Sequence, residues 1–241
     1  MKKRLSLIPA LMLILSMPQL HAEAIGYGQG TERDAQNRPV GAVCFQEEYS
    51  GCGAYALTED PDRIILTFDQ GYENGYTAKI LDTLREKNVS AIFFLTGDYA
   101  KREPELVRRM IDEGHMLGNH GMTHAALPQL TDAAIETEIM TLHEYVLANF
   151  GYEMQYFRPP CGEYDARALA KIRSLGYSTL FWSVAYVDWN TDAQPAPDAA
   201  LKQLSETAHG GAVYLLHSVS ATNAAILGSL IDTLRADGYN V

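Results

Sequence analysis

The sequence predicts an α/β protein in which parallel strands are covered by helices, and three observations carry that prediction. Short apolar runs alternate with amphipathic segments of helical period from Arg63 onward. The unit recurs about six or seven times, which suits either a closed barrel or an open doubly wound sheet. Polar residues able to do chemistry follow the apolar runs: Asp69 after Phe68, His120 after Gly118-Asn119, Arg158 after Phe157 and His217 after Leu216. In parallel α/β folds the C-terminal strand ends carry the site, because the loops there converge on one mouth. Four such placements favour the barrel, since an open sheet would spread them along an edge.

Taken in order, residues 1–24 read as a secretory signal peptide. Lys2-Lys3-Arg4 precedes an uncharged stretch, Leu5 to Leu20, and small residues follow around a cleavage point after Ala24. The stretch is short for a membrane span and is interrupted by Pro9 and Pro18. A secreted or cell-envelope protein without a membrane span after cleavage is expected. Residues 25–59 are polar, Gly-rich and without a clear period, and read as an extended lead-in segment. Strands are expected at Ile64–Phe68, Ala91–Leu95, Met116–Gly118, Gln155–Phe157, Thr179–Val184, Ala212–Leu216 and Tyr239–Val241. Between them, Ile135, Ile139, Leu142 and Val146 share one helical face, as do Leu227, Leu230, Ile231 and Leu234. Pro104 suits the first turn of a helix carrying Leu106, Val107 and Met110. Residues 60–241 are therefore expected to form the main domain.

Composition narrows the function. A formal net charge of −11 is a poor match to a polyanion, because phosphate backbones would repel the chain, so no nucleic-acid partner is expected. Three cysteines are too few for a disulfide scaffold; Cys44 and Cys52 could be bridged in an oxidising exterior, and Cys161 is then the odd one.

The chemistry-bearing residues fall in short motifs. His120-Gly-Met-Thr-His124 spaces two imidazoles four apart, which on a helical turn puts both on one face as metal ligands. Thr67-Phe68-Asp69-Gln70-Gly71 puts a carboxylate at a strand end beside a glycine. Arg158-Pro159-Pro160-Cys161-Gly162 is a stiff loop that fixes a guanidinium, and Leu215-Leu216-His217 ends a buried strand. Each alone reads as a cap, a turn or a structural histidine; their order and placement together carry the signal. His115, His143 and His209 read as structural.

These motifs, with Asp188-Trp189, resemble the five ordered motifs of the polysaccharide deacetylases, carbohydrate esterase family 4, over about residues 60–241. The likeness is strongest to the delta-lactam-biosynthetic de-N-acetylases. Its marks are Gly71-Tyr-Glu-Asn-Gly-Tyr76, Trp182-Ser-Val-Ala-Tyr-Val-Asp-Trp189 and Tyr214-Leu-Leu-His-Ser-Val-Ser220. The resemblance implies a distorted (β/α) barrel of about seven parallel strands and metal-assisted hydrolysis of an N-acetyl group on a glycan. By matched position it implies Asp69 as general base and His217 as general acid. His120 and His124 become ligands of a divalent metal, with zinc the expected ion, and Asp188 the partner that keeps His217 protonated. Trp189 and Leu215 would wall the acetyl methyl, and a backbone N–H near Cys161 would be an oxyanion donor.

Two positions depart from the wider family. Gln70 stands where a third ligand, an Asp, is usual, so it is expected to bind weakly. Ala185 stands where a second Asp is frequent, and the lactam branch shows similar changes. The function expected is de-N-acetylation of peptide-stripped N-acetylmuramic acid in the peptidoglycan glycan strand, after an amidase has acted, leading to muramic delta-lactam in spore cortex. Arg158 would then pair with the lactyl carboxylate through its planar fork, the alternative being that it orients Asp69. An N-acetylglucosamine deacetylase acting on peptidoglycan or chitin-like oligomers and an inactive glycan-binding module are the other readings. Intact Asp69 and His217 speak against the module, and the Gly71–Tyr76 run and Ala185 separate the first two.

Overall fold

A computed structural model describes residues 24–241; residues 1–23, nearly all of the expected signal peptide, lie outside the described residues. In chain order the elements are β1 (Ile25–Gly26), α1 (Val40–Tyr49), β2 (Ala54–Tyr55), β3 (Ile65–Gln70), α2 (Thr77–Lys87), β4 (Ile92–Leu95), α3 (Gly97–Arg102), α4 (Pro104–Asp112), β5 (Met116–Asn119), α5 (Asp132–Phe150), β6 (Tyr156–Phe157), β7 (Glu163–Tyr164), α6 (Ala166–Ser174), β8 (Ser178–Leu180), β9 (Val184–Ala185), α7 (Pro197–Glu206), β10 (Val213–His217) and α8 (Ala221–Ala236). Helix starts follow local chemistry. Side-chain oxygens of Thr96, Thr131, Asp165 and Ser220 accept from backbone N–H groups in the first turns of α3, α5, α6 and α8. Pro104 opens α4 as expected.

Eight strands form one parallel sheet in the order β2-β8-β6-β5-β4-β3-β10-β9, curled into a distorted (β/α) barrel. The run expected at Thr179–Val184 is divided in two. Its start pairs with β6 and β2 and its end with β10, so one stretch of chain spans the seam between the sheet edges. Tyr239–Val241 forms no strand; Asn240 makes one parallel bridge to Arg63, bonding the Asp62 carbonyl and the Ile64 N–H.

The lead-in is not extended either. It carries α1, whose Ala42 and Phe45 are buried, and β2, which joins the main sheet. Gln46 Oε1 accepts from the N–H groups of Ala56 and Leu57 at 3.0 and 2.8 Å, tying the helix to the chain after β2. Cys44 and Cys52 are free thiols in this arrangement. β1 pairs antiparallel with β7, outside the barrel.

Strand alternation decides what faces the mouth. Leu66 and Phe68 join the large cluster that includes Leu81 and Leu84 of α2 and Leu227 and Leu230 of α8. The opposite face holds a smaller cluster of Ile92, Phe94, Leu180 and Val213, with Ile65 and Tyr156 against it. Thr67 and Asp69 share the parity of Ile65, and Leu215 and His217 that of Val213, so all four turn to the barrel interior. Among the described residues no helix is long and apolar enough to cross a membrane.

Candidate active site

Register brings the expected acid and base together. β3 and β10 are neighbours in which His217 is the direct partner of Asp69, while Asn119, at the end of β5, pairs with Leu95 and with Phe157. Asp69, His120 and His217 thus converge on a cavity of about 670 Å³, also lined by Gln29, His124, Pro159, Cys161, Gly162, Trp182, Ala185, Tyr186, Val187, Trp189 and Leu215.

Asp69 is buried. Its Oδ1 accepts from Arg158 Nη1 at 2.8 Å, and its Oδ2 lies 3.5 Å from His120 Nε2. Burial alone would raise its pKa, but the charge of Arg158, then His120 and His217, outweighs it and holds the carboxyl below its ordinary value. An ionised Asp69 is what a general base requires. His217 shows the converse balance. Burial disfavours its charge, but the Asp188 carboxylate, 2.7 Å from Nδ1, raises its pKa above the ordinary imidazole value. Asp188 is fully buried; its Oδ2 also accepts from the His217 backbone N–H at 2.7 Å and from Asn223 Nδ2 at 2.5 Å. Three donors around one carboxylate lock the His217 ring with Nε2 free for substrate.

The two imidazoles do not share a helical turn. Residues 120–126 are irregular, Gly121 and His124 adopting positive φ of 86° and 61°. The bend nevertheless brings the rings to 4.8 Å between centroids. His120 Nδ1 lies 2.8 Å from the Arg158 carbonyl, which can only accept, so Nδ1 carries the proton and Nε2 keeps its lone pair. Burial pushes its pKa down to about 4, so the ring is neutral near pH 7 and charged only in the acid range where Asp69 titrates. Gln70 is fully buried and does not line the cavity. Its Nε2 donates to Ser218 Oγ, and its Oε1 has no hydrogen-bond partner. Two imidazoles can ligate a divalent cation, but Gln70, expected as a weak third ligand, shares the strand parity of Leu66 and Phe68, turned from the cavity. No group of three His, Cys, Asp or Glu side chains that could hold a metal occurs among the described residues.

Arg158 does not reach substrate. It is completely buried, with its guanidinium 4.1 Å from the Phe94 ring centroid. Nε donates to the Leu180 carbonyl (2.9 Å), Nη1 to Thr67 Oγ1 and Asp69 Oδ1 (both 2.8 Å), and Nη2 to the Phe181 carbonyl (3.1 Å). The expected bidentate pair with a substrate carboxylate is therefore corrected: this fork is occupied by the protein, and the geometry is that of a residue orienting Asp69. Trp189, 57% exposed, and Leu215, buried, both line the cavity. Cys161, at φ 56°, and Gly162, at φ 68°, are two successive positive-φ residues at the mouth, and the Gly162 N–H donates to the Pro159 carbonyl at 3.0 Å.

One supporting residue escaped the sequence reading. Glu138 of α5 is buried, and its carboxylate accepts from Thr123 N–H (2.6 Å), Thr123 Oγ1 (2.9 Å) and Ala125 N–H (3.3 Å), gripping the backbone on both sides of His124. A Cβ at Gly121 would lie 2.8 Å from Glu138 Oε1, so the glycine both permits the φ and leaves room for the carboxylate. The signal was present: Glu138 interrupts the apolar stripe of Ile135, Ile139 and Leu142.

Comparison with known proteins places the chain in a family. The polysaccharide deacetylase family model matches residues 56–180. The chain is 44% identical over 177 residues to the peptidoglycan-N-acetylmuramic acid deacetylase PdaA of Bacillus subtilis, covering 73% of this chain and 67% of that one. It is 32% identical over 177 residues to the peptidoglycan-N-acetylglucosamine deacetylase PgdA of Listeria monocytogenes, covering 73% of this chain and 37% of that one. The solved structure of B. subtilis PdaA, a family 4 carbohydrate esterase, superposes with a TM-score of 0.85 at 38% identity, covering 90% of this chain and 94% of that chain. By motif, fold and similarity, the chain belongs to the polysaccharide deacetylase family.

Proposed function

We propose that this chain is a secreted peptidoglycan deacetylase that removes the acetyl group from N-acetylmuramic acid residues already stripped of their stem peptide by an amidase, a step toward muramic delta-lactam in spore cortex. The observation that carries the reading is the Asp69–His217 pair set side by side across β3 and β10, in a chain similar over most of its length to a peptidoglycan-N-acetylmuramic acid deacetylase.

In the proposed reaction, ionised Asp69 takes a proton from water as the water oxygen bonds to the acetyl carbonyl carbon. The Cys161 backbone N–H is the candidate to receive the developing oxyanion, since the Gly162 N–H donates to the Pro159 carbonyl at 3.0 Å. The C–N bond then breaks while His217 Nε2 delivers its proton to the departing nitrogen, so acetate and a free amine leave. Arg158 keeps Asp69 ionised and aimed, and Asp188 does the same for protonated His217. His120 and His124 are the residues that would hold a divalent cation, zinc being expected, and such an ion supplies Lewis-acid polarisation when bound. Trp189 and Leu215 exclude water around the acetyl methyl.

A second reading, deacetylation of N-acetylglucosamine, is favoured by one observation: among the described residues no lysine or arginine side chain lines the cavity, as an uncharged sugar would prefer. Mass spectrometry of defined muropeptides before and after incubation separates the two. Loss of acetyl groups from stripped muramoyl residues is expected, and loss only from N-acetylglucosamine would overturn the first reading.

A further inference from the structure

The segment Ile25–Gln29 precedes the residues matched by the family model, yet it is built into the site. Ile25 and Gly26 pair with Tyr164 and Glu163, directly after the Cys161–Gly162 loop, and the Tyr27 N–H donates to the Gly162 carbonyl at 2.9 Å. The Tyr27 ring packs against Phe45, Phe181 and Trp182, with centroids 4.9, 4.6 and 5.1 Å away, and its hydroxyl donates to the Trp182 carbonyl. This strap therefore holds both the loop at the mouth and Trp182. Two residues on, Gln29 lines the cavity, and its Oε1 accepts the Trp182 indole N–H at 2.9 Å. An indole nitrogen can only donate, so the bond decides the amide orientation. The Gln29 oxygen faces Trp182, and its NH₂ group, without a partner among the described residues, is the donor that Gln29 brings to the cavity.

What the NH₂ meets follows from what the cavity lacks. A stripped muramoyl residue carries a carboxylate on its O-3 lactyl group, and a carboxylate taken from water needs donors. Arg158 is committed beneath the site, Tyr186 donates its hydroxyl to Asn223 Oδ1, the Trp189 indole belongs to the wall assigned above to the acetyl methyl, and His217 and the His120–His124 pair are assigned to the reacting acetyl group. We propose that Gln29 is a specificity-determining residue whose amide NH₂ donates to the lactyl carboxylate, an assignment that rests on the muramoyl reading above.

The test compares kcat/KM for a stripped muramoyl oligosaccharide with kcat/KM for the same oligosaccharide whose lactyl carboxyl has been converted to a carboxamide. Gln29→Glu keeps the acceptor for the indole and the side-chain size, but replaces the donor with a second carboxylate oxygen. The ratio of the two values, carboxylate over carboxamide, should fall at least about ten-fold, as expected from losing a hydrogen bond to a charged group and gaining a repulsion. Gln29→Leu should lower it in the same direction by less. Because both values come from one preparation, the ratio does not depend on how much of a variant is folded. An unchanged ratio in both variants, with a parent that turns over the stripped substrate, overturns the Gln29 assignment alone. A parent that turns over no muramoyl substrate overturns the muramoyl reading and this assignment with it.

Discussion

Replacing Arg158 with lysine should damage the enzyme without changing its choice of substrate. Lysine keeps the charge but gathers its three N–H groups at one point, whereas the arginine fork spans the carbonyls of Leu180 and Phe181, Thr67 Oγ1 and Asp69 Oδ1. An ammonium that stays with Asp69 leaves the two carbonyls without donors. Each buried acceptor left unsatisfied costs about 1–3 kcal/mol, so Arg158→Lys should lower unfolding stability by roughly 2–6 kcal/mol in total. That is a large part of the roughly 5–15 kcal/mol typical of a whole domain. Asp69 loses its fixed geometry at the same time, so kcat should drop by about 10²-fold, the low end for a displaced proton-transfer group. Urea unfolding measures the first effect. The second is read on the free-carboxylate and carboxamide muramoyl substrates, whose ratio should stay at the parent value. A selective loss on the carboxylate substrate, with an unchanged urea midpoint, would refute the reasoning and return Arg158 to substrate recognition.

Four further outcomes follow from the same geometry. Activity should be bell-shaped in pH, needing Asp69 ionised and His217 protonated, and Asp188→Asn should move the alkaline limb to lower pH because the carboxylate that raises the His217 pKa is gone; an unmoved limb would break that pairing. Stability should show the same signs. The Asp69 contribution is complete above its ordinary pKa of 3.8 and is lost as pH falls through its lower folded value, while the His217 contribution is complete below 6.5 and is lost as pH rises through its higher folded value, as denaturant midpoints across pH would record. Glu138→Ala should weaken zinc binding in calorimetry and lower the urea midpoint, since the Thr123 and Ala125 N–H groups lose their acceptor at about 1–3 kcal/mol each; unaltered zinc affinity would confine Glu138 to folding. Gln70→Asp should not tighten zinc binding, because the side chain at this position turns from the cavity, and tighter binding would return Gln70 to the ligand set.

How much of this was legible before folding varies from residue to residue. Apolar runs and helical stripes are local, so five of the parallel strands and the helices at Pro104–Asp112, Asp132–Phe150 and Ala221–Ala236 stand where the periodicity put them. The ordered motifs around Asp69, His120, His124, Asp188 and His217 were readable because strand ends in a parallel fold converge. Two-residue strands such as β1, β2 and β7 leave no period to detect, so the lead-in looked featureless although its Gln29 stands at the mouth.

The amino-acid sequence by itself determined the α/β class and the family, and pointed to Asp69 and His217 as the proposed acid–base pair, because these depend on local patterning and on motif order. Only the tertiary structure decided that His217 pairs in register with Asp69, that Asp188 faces His217 from 29 residues away and that Glu138 grips the histidine loop from α5. It alone decided that Arg158 lies inside the barrel, where its N–H groups meet carbonyls from another strand and its neighbouring loop. A side chain's reach is a local property, but the partners that occupy it are set by strand register and burial.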